Sequence, residues 1–395
     1  MKQTKILTLL FAILVGQTVL AQKKLPIIKA NSTSVDIKDD KNQRKNAWRI
    51  VPEEKLDVYT TSAKKVTFYT DIDSISFKID PKKQYDFIIL VNGKDSARTQ
   101  IKYQPSRLDI LKSAEKYNYS DNRFIPKFEY QSAENPNLKK IRQDLKLDSI
   151  AGKGSELSQI FNLLHWVHNL VKHDGSSNNP TLKNAIELIN VCKVENRGVN
   201  CRMLATILNE CYLSLGIKSR YITCMPKETN FDDCHVINMV YSNELKKWIW
   251  IDPTFDSYVM DEKGNLLGIQ EVRERLIKGQ PLILNADANW NRENLQTKEN
   301  YLENYMAKNL YRLQTPLISE YDTETWKSGK EVTYVELLPL DGIEQTPQKK
   351  EQTNNSTGVK FIYYKTNNPN LFWTKPEQKP EPLTAVWQNG GFGAK

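Results

Sequence analysis

The fold of the chain is best approached from residues 200–221, which run NCRMLATILNECYLSLGIKSRY. From position 202 onwards the apolar residues recur at the spacing of one helix face, which predicts an α-helix. Asn200 is a typical N-cap residue, and Gly216 is typical of a helix end. We therefore predict a helix from Arg202 to Leu215 with one apolar face, made of Leu204, Ala205, Leu208, Cys211, Tyr212 and Leu215.

Cys201 lies at the start of this predicted helix. A helix N-terminus carries partial positive charge and unpaired backbone N–H groups, and both favour the thiolate over the thiol. The same N–H groups can stabilise the negative oxygen that forms when a carbonyl is attacked. Cys201 is thus the candidate nucleophile, and the helix N-terminus at Asn200 and Cys201 is the candidate oxyanion site.

A β-hairpin is predicted downstream of the helix. Residues 234–241 (CHVINMVY) have the pattern of one strand, and residues 246–252 (KKWIWID) have the pattern of the returning strand. Residues 242–245 form the predicted turn between them, and Pro253 ends the second strand.

This hairpin brings a histidine to an aspartate. With a four-residue turn, Tyr241 lies opposite Lys246, and His235 then lies opposite Asp252. Directly opposite side chains are close enough for a hydrogen bond, whereas a one-residue slip would move Asp252 to the other face. The predicted roles follow: Cys201 attacks, His235 transfers the proton, and Asp252 orients His235.

These segments together resemble the core of the transglutaminase-like superfamily over about residues 155–290. The motifs that carry the resemblance are Asn200-Cys201-Arg202-Met203-Leu204-Ala205, Leu215-Gly216-Ile217-Lys218-Ser219-Arg220-Tyr221, His235 and Trp250-Ile251-Asp252-Pro253-Thr254. The resemblance implies a papain-like α+β core with Cys201, His235 and Asp252 at the triad positions. It also implies thiol acyl transfer on amides, by cross-linking, peptide cleavage or deamidation, in a family with some inactive members.

Other histidines precede the cysteine. His165 and His168 lie three residues apart on a predicted helix, with Trp166 between them and His173 just beyond. We interpret His165, Trp166 and His168 as residues that line the substrate groove. A zinc site around His165 is the alternative, but no Glu or second acid lies at ligand spacing. We therefore predict no metal and no cofactor.

The first residues predict a secretory signal peptide. Lys2 and Lys5 precede a short apolar run at 6–15, and small residues near Ala21 mark a cleavage point. This run is far shorter than the ~20 residues that cross a bilayer, and the sequence contains no longer one. We predict an exported protein, periplasmic or extracellular, without a transmembrane segment.

The net charge of +9 is spread along the chain. Without a basic block, a zinc finger or an aromatic RNA-binding motif, the charge does not support nucleic-acid binding. The five cysteines all lie between positions 192 and 234. An odd number in an oxidising compartment leaves at least one free thiol, and the alternative is that all five are reduced.

The periodicities divide the chain into segments and predict the α+β class. β-prone runs end near 103, and helical periodicity begins at 155. We predict a papain-like, transglutaminase-like core with a small N-terminal β-sheet domain and a C-terminal β extension. The predicted segments are a signal peptide (1–21), a β-rich accessory domain (22–103), a helical connector (104–154), the catalytic domain (155–310), a C-terminal extension (311–385) with a flexible loop (343–357), and a disordered tail (386–395).

The sequence thus predicts a thiol hydrolase or acyltransferase that acts on peptide or protein amides through an acyl-enzyme. Hydrolysis is favoured over transamidation because cross-linking needs a second-substrate site, for which no feature is visible. The alternative is a non-catalytic envelope-binding or scaffolding protein on the same fold. Substrate identity, disulfide pairing, oligomeric state and the role of the first domain are not determined by the sequence.

Overall fold

A computed structural model describes residues 24–51, 56–231 and 233–376. The chain divides into two compact units, Met1–Pro105 and Ser106–Lys395. The predicted signal peptide (1–21) and the predicted disordered tail (386–395) both lie outside the described residues.

The first unit is a pair of β-sheets. Its strands are β1 (Ile27–Ala30), β2 (Ser34–Asp39), β3 (Asn42–Arg49), β4 (Asp57–Thr61), β5 (Lys65–Tyr69), β6 (Ser74–Lys78), β7 (Tyr85–Val91) and β8 (Asp95–Tyr103). They form two four-stranded sheets, of order β1-β7-β8-β4 and β3-β2-β5-β6. Side chains from both sheets, among them Ile37, Phe68 and Phe87, share one hydrophobic core, because alternate residues of a strand point to the same face.

The second unit mixes helices and strands. Its helices are α1 (Arg107–Lys112), α2 (Pro136–Asp144), α3 (Leu147–Ala151), α4 (Glu156–Leu170), α5 (Ala185–Val194), α6 (Cys201–Ser214), α7 (Ile269–Lys278), a π-helix (Glu299–Met306), α8 (Ala307–Asn309) and α9 (Pro369–Phe372). Its strands are β9 (Glu129–Tyr130), β10 (Ser219–Met225), β11 (His235–Ser242), β12 (Lys247–Ile251), β13 (Val259–Met260), β14 (Ile283–Leu284), β15 (Asn289–Trp290), β16 (Asn294–Leu295), β17 (Arg312–Pro316), β18 (Ile318–Ser319), β19 (Glu331–Leu337), β20 (Lys349–Thr353) and β21 (Lys360–Thr366).

A seven-stranded sheet of order β12-β11-β10-β17-β19-β21-β20 organises the second unit. Neighbouring strands are antiparallel except for β19 and β21, which are parallel. Helix α6 packs on β10 and β11, and α2, α4 and α5 pack around α6. A second hydrophobic cluster, which includes Ile222, Trp250 and Tyr301, joins the strands to the π-helix. Every residue of β10 and β11 is therefore buried.

Two of the predicted segments supply elements to the same sheet and core as the predicted catalytic domain. The predicted extension 311–385 supplies β17, β19, β20 and β21, which lie in the same sheet as the predicted catalytic strands. The predicted connector 104–154 supplies α2 and α3, whose Leu138, Ile141 and Leu147 belong to the same core as α6. Pairing between strands that are distant in sequence leaves no local pattern, so periodicity alone could not reveal it.

The segment 343–357, predicted as a flexible loop, contains the strand β20. This strand pairs antiparallel with β21, and all five of its residues are exposed because it is the outermost strand of the sheet. Charged side chains on an edge strand discourage pairing with other chains. The polar composition of an edge strand is also that of a loop, which is why the prediction failed here.

Helix α6 begins and ends close to the predicted positions. The Asn200 side chain accepts a hydrogen bond from the Met203 N–H at 3.1 Å, which satisfies one of the free donors of the first turn. Gly216 follows the helix with φ of +80°, a conformation that favours glycine. All residues from 203 to 214 are buried, so the helix is enclosed on every side rather than on one apolar face.

The hairpin of β11 and β12 has a different register from the predicted one. Ser242 pairs with Lys247, so Tyr241 lies opposite Trp248 and not opposite Lys246. The turn is shifted by one residue because Lys246 adopts φ of +54°, a left-handed conformation that suits a turn and not a strand. The pairing is displaced by an even number of residues, and His235 and Asp252 therefore stay on the same face.

Glu210 is a buried acid that ties α6 to two other elements. Its two carboxylate oxygens accept the backbone N–H groups of Ala185 and Asp322, each at 2.8 Å, and the residue is 1% exposed. Glu210→Gln replaces one acceptor with an N–H₂ donor, so we expect the free energy of unfolding to fall by about 1–3 kcal/mol. Urea denaturation would measure the loss, with the exposed Glu187→Gln as the control. Equal stability of the two variants would contradict this account.

Candidate active site

Cys201 is the first residue of α6, and its thiol is partly exposed. The preceding segment is held in place by a parallel bridge between Val199 and His173. In this bridge the Val199 N–H donates to the Lys172 carbonyl, and its own carbonyl accepts the Asp174 N–H. A Cβ atom at Gly198 would lie 2.6 Å from the Lys172 carbonyl oxygen. The backbone at residue 198 therefore approaches the backbone at Lys172 so closely that only glycine fits at 198.

His235 and Asp252 form a buried pair. His235 Nε2 lies 2.7 Å from Asp252 Oδ2, and the two residues are 1% and 0% exposed. Asp252 Oδ2 also accepts the Tyr301 hydroxyl at 2.6 Å, and its Oδ1 accepts the Thr254 N–H at 2.8 Å. These donors stabilise the ionised carboxylate, and the carboxylate in turn fixes the hydrogen of His235 on Nε2.

The other nitrogen of His235 interacts with the thiol. Its Nδ1 is buried and has no hydrogen-bond partner within the described residues, so the interaction with the thiol is electrostatic in character. Burial alone would lower the pKa of His235, but Asp252 and then Cys201 outweigh burial and raise it to about 10. Burial would likewise raise the pKa of Cys201, but His173 and His235 lower it to about 6. A thiolate and an imidazolium are thus the favoured forms near neutral pH.

Three aromatic rings surround His235. Phe255 and Tyr305 meet its ring edge-on, with centroids 5.6 and 5.2 Å away, and Tyr301 packs on Phe255 at 4.9 Å. Tyr301 and Tyr305 come from the π-helix, a rare element that often occurs at functional sites. These rings exclude water from the imidazole, so the His235–Asp252 hydrogen bond lies in a region of low dielectric constant.

The Asp252 loop is short and closed. Asp252 and Ser257 exchange backbone hydrogen bonds of 2.9 and 3.0 Å. Residues 253–256, which include Phe255, therefore form a tight loop. The backbone of Asp256 adopts φ of +49°, which an aspartate tolerates better than most residues. The loop thus holds the carboxylate of Asp252 and the ring of Phe255 in fixed positions relative to each other.

His173 was not among the predicted site residues, yet it affects the thiol. After burial, His173 is the largest influence on the pKa of Cys201 and lowers it. The residue that orients its ring is Trp290, whose Nε1–H donates to His173 Nδ1 at 3.1 Å. Because Trp290 is 117 positions away in sequence, no local pattern around His173 indicated this role. Its parallel bridge to Val199 has no sequence signal either.

The predicted groove residues lie elsewhere. His168 is 3% exposed, and its ring nitrogens contact the Pro253 carbonyl and Asn289 Oδ1, each at 3.0 Å. His168 therefore contacts the loop that follows Asp252, and its burial leaves little of its ring for a substrate. Trp166 is partly buried against the helical core. His165 is half-exposed and pairs with Asp256 at 2.7 Å, which raises the pKa of His165.

One group of side chains in the described ranges has donor atoms close enough to share a metal ion. The ligand atoms of His165, Asp256 and Asp287 lie within 4.8 Å of one another. Asp287 is exposed, whereas His165 Nδ1 and Asp256 Oδ2 are hydrogen-bonded to each other. The acids come from 91 and more positions downstream, which is why ligand spacing in the sequence could not reveal them.

A cleft of about 570 Å³ lies next to the first turn of α6, although Cys201 itself does not line it. Asn200 and Arg202, the two neighbours of Cys201, both line it. Arg202 is paired with Glu324 at 3.2 Å, and Lys183 covers the ring of Trp326 at 4.8 Å. The rest of the lining is aromatic and amide in character, from Asn179, Gln314, Tyr334, Gln352, Asn354, Phe361 and Tyr363.

Each of the five cysteines lies in the described ranges and is a free thiol. Cys192, Cys211 and Cys224 are buried, and Cys201 and Cys234 are partly exposed. Burial raises the pKa of the buried thiols, and Cys201 is the cysteine whose pKa is lowered. Reactivity is thereby concentrated at one position, because the thiolate is the nucleophilic form.

The helices of the described ranges include none that is long and apolar enough to cross a membrane.

Comparison with known proteins places this site in a family. Residues 143–253 match the model of the transglutaminase-like superfamily. The matched part of the chain includes Cys201, His235 and Asp252. No curated protein sequence shows significant similarity to the chain.

Three solved structures are similar over part of their length. One is described as a putative cysteine protease from Cytophaga hutchinsonii, with 22% identity over 29% of this chain and 37% of that chain, and a TM-score of 0.24. The second is a putative protease from Parabacteroides distasonis, with 12% identity, 44% and 36% coverage, and a TM-score of 0.21. The third is red sea bream transglutaminase, with 13% identity, 48% and 37% coverage, and a TM-score of 0.22. The chain thus spans little more than a third of each of these proteins.

Proposed function

We propose that the protein is an exported thiol enzyme that cleaves or transfers peptide or protein amides, with Cys201, His235 and Asp252 as its catalytic triad. One observation carries the proposal. The buried His235–Asp252 pair leaves His235 Nδ1 to interact with a thiol at a helix N-terminus. This is the arrangement that activates a cysteine nucleophile. Export rests on the signal-peptide pattern of residues 1–21.

The chemistry follows from this arrangement. The Cys201 thiolate forms a C–S bond to the amide carbon, and the C=O π electrons move to oxygen. The oxyanion then collapses, the C–N bond breaks, and His235 donates its Nδ1 proton to the departing amine. Water next attacks the thioester carbon and gives its proton to His235. The second tetrahedral intermediate then collapses, the C–S bond breaks, and the acid and the Cys201 thiolate are released. Asp252 stays ionised and stabilises the imidazolium throughout.

The oxyanion is accommodated at the start of α6. The backbone N–H of Cys201 belongs to the first turn, which has unpaired donors. The Asn200 side-chain oxygen is committed to the Met203 N–H. Asn200 therefore contributes by capping the helix, which holds the N–H groups in position.

The cleft lined by Asn200 and Arg202 is the proposed substrate groove. It lies next to the first turn of α6 and entirely within the second unit. A cleft of this size accommodates several residues of an extended chain. Hydrolysis is the favoured outcome, since an amine would need a separate approach to the thioester.

The pH dependence of cysteine alkylation tests the pair without any knowledge of the substrate. We expect iodoacetamide to modify Cys201 with a midpoint near pH 6, because its pKa is lowered to about 6. In His235→Ala the midpoint should rise towards the ordinary thiol value of about 8.5. Mass spectrometry would assign the modified cysteine, with Cys234 as the internal reference.

An ordinary thiol profile at Cys201 in the wild type would refute the triad. The alternative function, a non-catalytic envelope-binding or scaffolding protein on the same fold, would then be favoured. Peptide amide hydrolysis that is lost in His235→Ala would support the enzyme.

A further inference from the structure

His173 is anchored from both sides of its backbone. Its N–H donates to Asn291 Oδ1 at 2.7 Å, and its carbonyl accepts the Asn291 Nδ2–H at 2.9 Å. On the other side the bridge to Val199 ties it to the segment that leads into Cys201. Asn291 adopts φ of +55°, which asparagine tolerates. The backbone of His173 is therefore held by two separate parts of the chain, at Val199 and at Asn291.

The tautomer of His173 is determined by Trp290. An indole N–H can only donate a hydrogen bond, so the Nδ1 atom that receives it at 3.1 Å must be an acceptor. The hydrogen of the neutral ring is then on Nε2. If Nδ1 carried a hydrogen, this hydrogen would point at the indole N–H of Trp290, and the hydrogen bond between the two residues would be lost. Trp290 thus favours a neutral imidazole whose remaining nitrogen is a donor.

The two histidines at the thiol are therefore unlike. His235 has a carboxylate on its far nitrogen, which stabilises the imidazolium and suits a base. His173 has an N–H donor on its far nitrogen, so that nitrogen acts as an acceptor. Both rings lower the pKa of the Cys201 thiol, and the bridge to Val199 holds His173 beside the segment that leads into Cys201. The thiol of Cys201 needs one base, which is His235. The ring of His173 is then available as a hydrogen-bond donor.

We propose that His173 is a neutral hydrogen-bond donor of the active site, whose Nε2–H binds the Cys201 thiolate and then the oxyanion of the tetrahedral intermediate. The assignment rests on the proposed function. When the sulfur bonds to the carbonyl carbon, the carbonyl oxygen is attached to the carbon that now carries the sulfur. The oxygen can then accept two hydrogen bonds, one from a donor beside the sulfur and one from the N–H of Cys201. His173 accepts no proton in this reaction, and Trp290 and Asn291 are positioning residues.

Three variants separate a donor from a base and from a structural residue. In His173→Ala we expect kcat on a peptide amide to fall about 10²–10³-fold, with KM little changed, and the alkylation midpoint of Cys201 to rise. His173→Gln places an N–H₂ donor at the same position and should recover most of both losses. Trp290→Phe leaves Nδ1 free to be protonated, and because a positive ring stabilises a thiolate better than a neutral ring does, the midpoint should fall while His173 is still present. Trp48→Phe, in the first unit, is the matched tryptophan control and should change neither quantity.

Alkylation needs no substrate, so this test is independent of the proposed amide chemistry. If no peptide amide is cleaved but the midpoint shifts as expected, the proposed reaction fails and the donor assignment of His173 to the thiolate stands. An unchanged midpoint in folded His173→Ala overturns the inference. Failure of His173→Gln to restore the midpoint also overturns it, because an amide can donate but cannot act as a base. Circular dichroism of each variant establishes that it is folded.

Discussion

Cys201→Ala should abolish amide cleavage while the protein stays folded. We expect kcat to fall about 10⁴–10⁶-fold, the loss that follows removal of a nucleophile in a triad. The side chain is partly exposed and packs on a small cluster of Ala205, Tyr221 and Val236, so its truncation leaves little unfilled space. Active-site titration and steady-state kinetics on a peptide amide would measure the loss.

Cys192→Ala is the matched control for this variant. Cys192 lies in α5 and belongs to the helical core, so its truncation should lower the unfolding temperature and leave kcat unchanged. The mechanism would be wrong if Cys201→Ala retained activity, or if Cys192→Ala alone lost it.

Asp252→Asn should reduce kcat about 10³–10⁴-fold. The Thr254 N–H can still bond the remaining oxygen, whereas an amide N–H₂ replaces the oxygen that faces His235. His235 Nε2 must then accept, so its hydrogen moves to Nδ1 and faces the thiol. The ring can no longer take the thiol proton, although its position is unchanged.

Tyr301→Phe provides the comparison for Asp252→Asn. It removes the 2.6 Å hydrogen bond to Asp252 Oδ2 but leaves the His235 contact, so the loss should be much smaller, on the order of tenfold. Wild-type activity in folded Asp252→Asn would exclude the proposed role of the carboxylate. The alkylation profile of Cys201 in both variants would show whether the thiol pKa changes with activity.

The helix that carries Cys201 could be predicted from local signals in the sequence. Asn200 and Gly216 delimit α6 through capping and positive φ, and such signals depend only on neighbouring residues. His235 and Asp252 share a face although the assumed register was wrong, because an even displacement preserves the side of a strand. The geometry of this pair could therefore be anticipated without the correct turn.

Non-local features could not be anticipated. The role of His173 depends on Trp290 and Asn291, and the environment of His235 depends on a π-helix that places Tyr301 and Tyr305. Neither feature has a local periodicity. His168 is a different case, because its polar character suggested a groove, whereas its ring is buried and makes two hydrogen bonds.

The order of strands in the large sheet has a consequence for how the protein is made. As a ribosome delivers the chain, β10, β11 and β12 appear early, but β10 receives its other neighbour only when β17 has emerged. Until then one edge of β10 presents unpaired backbone groups beside apolar residues such as Ile222 and Cys224, a template for association with other chains. The transglutaminase-like segment is therefore not a cassette that can be cut out near residue 253 or 310, since the last strands complete the sheet on which its nucleophile helix rests.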